Sequence, residues 1–210
     1  MIVENYPFSE LLSSILYFLL FLYSFRIRKS PGAVFLMIMT ALLSLQGILN
    51  IGELFAEDLE EKLLWRNLQQ VPLFYSPVLC VGIFMSYMGV RRNVIARRML
   101  FISGIVLIYW ILVFTDHVHH LIRQSVWLEP YGAYERIGVT RTWLGYLFFL
   151  HIHVVVLWGL GMLVGNYKRV IGTQKTSYIL LIIAMLCPLV LSLLADVYDW
   201  QVNISVTLLP

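Results

Sequence analysis

Charge is what this 210-residue sequence has least of: only 13% of its residues are Asp, Glu, Lys or Arg, where a soluble domain carries roughly a quarter. With 60% apolar residues and a mean hydropathy of +0.82, the chain has too few solvating groups for a soluble catalytic domain. Cysteine is almost missing. Cys80 and Cys187 stand alone inside apolar runs, which excludes a disulfide framework and a thiolate metal site by spacing. There is no glycine-rich phosphate loop, paired-carboxylate site, nucleophile elbow or Cys/His zinc spacing. The first apolar run is preceded by Glu4 and by no Lys or Arg, so it lacks the positive region of a cleaved signal peptide. The net charge of +3 resides in short basic clusters between apolar runs, which excludes a nucleic-acid partner as the reason for it.

What is present is a series of apolar runs of bilayer-spanning length. Six complete spans are predicted, at about 8–25, 32–55, 63–89, 99–115, 142–165 and 177–197. Each must be helical, because a lone segment in lipid has to satisfy its own backbone hydrogen bonds. The fold class is therefore an all-α polytopic bundle, read as one transmembrane sensor domain over 1–210 with an extracytoplasmic loop at 116–141. Ten of the fifteen basic residues, and no acid, occupy three loops: Arg26, Arg28 and Lys29; Arg91, Arg92, Arg97 and Arg98; Lys168, Arg169 and Lys175. The positive-inside rule puts those loops in the cytoplasm and the N-terminus outside. Six crossings then leave the chain outside, and the apolar stretch from Val202 to Pro210 reads as the start of a seventh span, from about 203, leading back to the cytoplasm.

Polar residues inside spans are costly, so their placement is informative. Gln46, Asn50 and Glu53 recur at four and three residues in the second span, within roughly a 60° arc of a helix. Arg66, Asn67, Gln69 and Gln70 open the third span, and Ser192 and Asp196 sit in the outer part of the sixth. Glu53 and Arg66 are a candidate ion pair. Either a pocket opens to the outside, or these helices extend past the bilayer and their polar residues are wet. Gln46 and Asn50 lie deeper than Glu53, which favours the pocket. The loop from Asp116 to Thr142, with β-prone pieces at Ser125 to Leu128 and Ile137 to Thr140, predicts a small capping hairpin.

The histidines offer an alternative, a haem or metal-binding membrane protein. His151 and His153 are two residues apart, hence about 200° around a helix. His151 lies about 15 Å below the mouth of its span, while His119 is at the surface. One shared site is disfavoured, and no metal or other cofactor is expected. Gly159 and Gly161 permit close helix approach but do not make a GxxxG pair with each other, which leaves anchoring or dimerisation as a background reading.

Four stretches in order carry a family resemblance. Lys62-Leu63-Leu64-Trp65 with Gln69 and Pro77 is similar to an "LLW…Q…P" entry into a third helix, and Thr115-Asp116-His117-Val118-His119 to a Thr-Asn-x-x-His end of a fourth. Gly145-Tyr146-Leu147-Phe148-Phe149-Leu150-His151 resembles a glycine, aromatic and histidine pattern in a fifth helix, with Tyr146 where Pro and Phe149 where Trp is usual. Pro188 with Ala195-Asp196 resembles a sixth. Asp stands for the family's Asn at 116 and 196. The pattern resembles the seven-transmembrane N-terminal region of bacterial histidine kinases. The resemblance implies a multi-pass protein of the bacterial plasma membrane that receives an extracytoplasmic or membrane-derived signal. A seventh helix would pass that signal to a cytoplasmic output domain outside this chain, and homodimerisation is implied as well. The chain itself is then no enzyme. Its partners are the lipid bilayer and a small extracytoplasmic ligand, and Gln46, Asn50, Glu53, Arg66, Gln70, His119, His151 and Asp196 are the pocket or switch candidates.

Overall fold

The computed structural model describes residues 6–131, 134–168, 172 and 174–197. Six long helices run through it: α1 (Tyr6–Arg26), α2 (Ala33–Phe55), α3 (Leu59–Tyr87), α4 (Arg92–Phe114), α6 (Trp143–Tyr167) and α7 (Gln174–Val197). A single turn, α5 (Asp116–His119), follows α4, and the strands β1 (Arg123–Tyr131) and β2 (Tyr134–Arg141) come before α6. Among the described residues five helices, α1 to α4 and α6, are long and apolar enough to cross a membrane. Some α7 side chains, Asp196 and Ser192 among them, and the whole predicted seventh span lie outside the described residues.

Apolar side chains face outward, as a lipid-solvated bundle requires. Phe8, Leu16, Phe18, Leu19 and Tyr23 on α1, Leu100 and Phe101 on α4, and Tyr146, Leu150 and Leu157 on α6 are all exposed. In water this would be an extended adhesive surface. The buried hydroxyls of Ser24, Thr40 and Ser76 fold back on their own helices, onto the carbonyls of Leu20, Leu36 and Pro72, which pairs them without a second helix.

α3 is the central helix. It packs against α2, α4 and α6, while α1 packs on α2 and α7 on α6. Its Phe74, Val78, Val81 and Met85 meet Ile102, Val106 and Tyr109 of α4 and Val155 of α6 in the main core. A second core joins Phe84 of α3 to Leu160 and Leu163 of α6 and Tyr178 of α7. α3 carries Pro72 and Pro77 inside it without breaking, as bundle-buried membrane helices tolerate.

Three expectations need adjustment. The fourth helix starts at Arg92 instead of 99, because arginines at a bilayer interface remain helical and extend their charges toward water. The hairpin is longer than its β-prone pieces, pairing Arg123 with Arg141 through to Tyr131 with Tyr134. Cross-strand partners such as Glu129 and Arg136, 2.5 Å apart, extend it beyond what propensity suggests. In α6, Gly161 and Gly165 form the four-residue spacing that Gly159 and Gly161 lack, and a Cβ at either would meet nothing within 4 Å.

Candidate functional site

The C-terminus of α2, the N-terminus of α3, the end of α4 and the hairpin share one end of the bundle. Phe55 meets Tyr134 edge-on at 6.0 Å, and β2 touches α2, α3 and α6. Two polar networks occupy this end.

The first is centred on Glu53. Its carboxylate accepts from Arg66 Nε at 2.8 Å, Arg66 Nη2 at 2.5 Å and Gln69 Nε2 at 2.6 Å. Gln69 also donates to the Leu49 carbonyl at 3.1 Å. Glu53 is in the last turn of α2, where the helix dipole disfavours an anion, so a bidentate guanidinium is needed to hold it there. Lys62, 2% exposed, sends Nζ to the Glu53 carbonyl at 2.9 Å and toward that of Leu54 at 3.5 Å, covering carbonyls that the helix end leaves without partners. Gly52 allows the close approach of α3: a Cβ there would lie 2.7 Å from the Trp65 ring.

The second network joins α3 to the hairpin. Asp116, buried at the start of α5, accepts from the backbone N–H of Ile122 at 2.8 Å and of Arg123 at 3.1 Å. The buried Arg123 guanidinium donates to Asn67 Oδ1. Desolvation pulls the Arg123 pKa below its ordinary value, with Tyr109 and Asp116 opposing that pull. His119 closes the turn. Its Nδ1 accepts from Leu121 N–H at 3.1 Å and its Nε2 meets Thr115 Oγ1 at 3.0 Å. Since the Thr115 hydroxyl donates to the Ile111 carbonyl, this network assigns the Nε2–H tautomer. A cavity of about 230 Å³ sits beside this network, lined by Leu63, Asn67, Val113, Asp116, His117, His120 and Arg123, among others. Arg66 and Asn67 are consecutive on α3, so one turn of helix connects the two networks.

The structure divides the eight candidates. Glu53 and Arg66 meet as the predicted ion pair. Asn50 turns to α1 instead, its Nδ2 donating to Glu10 Oε2 at 3.1 Å, and Gln46 Nε2 donates to Asn50 Oδ1 at 2.9 Å within α2. Gln70 bonds back to the Arg66 carbonyl of its own helix. His119 belongs to the turn after α4, and His151 is on α6 with its Nε2 buried and without a hydrogen-bond partner among the described residues. The Asp196 side chain is outside the described residues. None of the other seven lines the 230 Å³ cavity. Among the described residues no three His, Cys, Asp or Glu side chains converge to hold a metal.

Sequence reasoning missed three members. Glu10 had a signal, an acid inside the first apolar run. Lys62 enters the sequence reading only as the first residue of the stretch that opens the third helix, and Arg123 in a 26-residue loop had no signal.

A bundle of apolar, outward-facing helices with a buried charged network at the end that carries the hairpin defines a multi-pass membrane protein. The family described as the N-terminal 7TM region of histidine kinase matches residues 10–210. The chain belongs to that family, a membrane-embedded sensory region and not a catalytic domain. No curated protein and no solved structure matches the chain.

Proposed function

We propose that this chain is the sensory input module of a bacterial plasma-membrane signalling protein. It has six complete spans and the start of a seventh, its N-terminus and hairpin face outside, and it works as a homodimer. An extracytoplasmic or membrane-derived signal acts at the hairpin end and shifts a two-state bundle, and a seventh helix carries the shift to a cytoplasmic output such as a histidine kinase. The observation that carries this reading is the double network through α3. Asn67 binds Arg123 of the hairpin while its neighbour Arg66 binds Glu53 of α2, so a ligand in the cavity beside Arg123 that draws on Asn67 also biases the α2–α3 joint. Glu53 and Arg66 are the switch pair. Asn50 holds α1 to α2 with Gln46 bonded behind it, and Gln70, His119, His151 and Asp196 tune the same outer half. Basic loops at the other end of the bundle support the orientation.

The test is autophosphorylation of the intact kinase in native membranes. Glu53→Gln and Asn67→Ala are expected to shift basal output or stimulus response several-fold at normal expression. Unchanged output from both would refute the switch assignment. Labelling of a cysteine placed at Ser125 by a membrane-impermeant maleimide, in a Cys80→Ser/Cys187→Ser background, tests the orientation, and protection in intact cells would overturn it.

A further inference from the structure

At the end away from the hairpin, α4 and α6 each pack on α3 and not closely on one another. Between them is a groove of about 660 Å³, walled by Phe101 and Ile102 of α4 and Val154 and Val155 of α6, with Arg97, Arg98 and Trp158 around it. The walls are hydrocarbon while two guanidiniums sit along one side. Arg98 lies over the Trp158 ring, its Cζ 5.7 Å from the centroid. Neither arginine has an ion-pair partner among the described residues. The sequence explains why: α4 and α6 contain no Asp or Glu, and the acids of α3, Glu60 and Glu61, are at its hairpin end.

Placement narrows the occupant. Arg97 and Arg98 are the sixth and seventh residues of α4, about 8 to 9 Å along the helix at 1.5 Å per residue, and Phe101 follows one turn deeper. Trp158 is an amphipathic ring of the kind that settles at the headgroup level. The groove thus runs from a cationic mouth into an apolar trough open to lipid, since Phe101 is 73% and Val154 53% exposed. An ordinary basic loop attracts anionic surface without shape. Here a trough of acyl-chain character adjoins the charges.

We propose that the α4–α6 groove is a binding site for an anionic phospholipid. The headgroup phosphate sits between Arg97 and Arg98, one acyl chain lies along Phe101, Ile102, Val154 and Val155, and Trp158 flanks the glycerol region. Basic pockets between transmembrane helices on the cytoplasmic side take such headgroups elsewhere. The site is independent of the network at the hairpin end. It gives the bundle a second input, lipid composition, acting where α4 and α6 diverge from α3.

The experiment is native mass spectrometry of the full chain titrated with phosphatidylglycerol, and separately with phosphatidylcholine of the same acyl chains. Each arginine near the surface contributes about 1 kcal/mol of attraction, about a fivefold change in affinity. Arg97→Gln/Arg98→Gln is therefore expected to weaken phosphatidylglycerol binding roughly 30-fold. It leaves phosphatidylcholine binding unchanged. Arg91→Gln/Arg92→Gln, which removes as much charge outside the groove, is expected to change phosphatidylglycerol binding less than threefold. Val154→Trp fills the trough without touching the charges and should weaken binding as well. Equal losses from both arginine pairs would reduce the site to surface charge and overturn the proposal, as would retained binding in Arg97→Gln/Arg98→Gln. Displacement of the lipid by inorganic phosphate at millimolar concentration would mean that the guanidiniums bind free phosphate and the trough is irrelevant, which also overturns it. Thermal unfolding of each variant confirms that it is folded.

Discussion

Replacing Arg66 by Met, close in length and uncharged, leaves the Glu53 carboxylate with Gln69 as its remaining side-chain donor. Two of its three hydrogen bonds, at 2.8 and 2.5 Å, disappear, and the anion stays in the last turn of α2 against the helix dipole. Removing one partner of a buried pair costs about 3–5 kcal/mol. The lower end applies, because the Arg66 side chain is 24% exposed and Lys62 still holds the Glu53 carbonyl. A loss of about 3 kcal/mol is thus expected for Arg66→Met. Glu53→Gln/Arg66→Met has no stranded charge and is expected to lose only about 1 kcal/mol, giving a coupling of about 2 kcal/mol or more in a double-mutant cycle. The assay is reversible unfolding in mixed micelles titrated with sodium dodecyl sulfate, followed by tryptophan fluorescence. If Arg66→Met loses less than about 1 kcal/mol, the value of a solvated pair, the network is surface decoration and the reasoning fails.

Three further outcomes follow from the same geometry. Lys62→Met uncovers the carbonyls of Glu53 and Leu54, so a loss of about 1–2 kcal/mol and faster hydrogen exchange at the end of α2 are expected; unchanged exchange there refutes the capping role. Asp116→Ala removes the acceptor of two backbone N–H groups at a cost of about 2 kcal/mol, whereas Asn keeps one oxygen and about half of that. Amide protection at Ile122 and Arg123 reads the difference, and equal protection in both variants speaks against it. Gly145→Ala drives a Cβ to 2.5 Å from the Ile122 carbonyl while Gly161→Ala meets open space, so thermal stability should fall by about 1–3 kcal/mol for the first and stay level for the second.

The hydropathy runs and the charge asymmetry determined much of this protein without any structure. In lipid a segment without the alternation of a barrel strand has no alternative to helix, so the five helices long and apolar enough to span among the described residues could be placed from composition, and Glu53 with Arg66 could be paired because isolated charges do not persist in a span. Periodicity could not say which neighbour each face of α2 meets. Gln46, Asn50 and Glu53 read as one stripe, yet Asn50, which accepts from Gln46, binds Glu10 on α1 while Glu53 binds α3. α2 lies between two helices, and a stripe about 60° wide straddles both contacts.

The part played by Arg123 is similarly invisible in sequence. A loop arginine becomes a buried donor only because Asp116 ties the start of β1 to α5 and brings it over Asn67. The groove between α4 and α6 exists because α3 holds the two helices apart, which no local pattern records. Sequence therefore determined what had to be helical and where charge had to be answered, since each span meets the same solvent. The tertiary structure alone decided which group answers it, because that depends on which helices become neighbours across tens of residues.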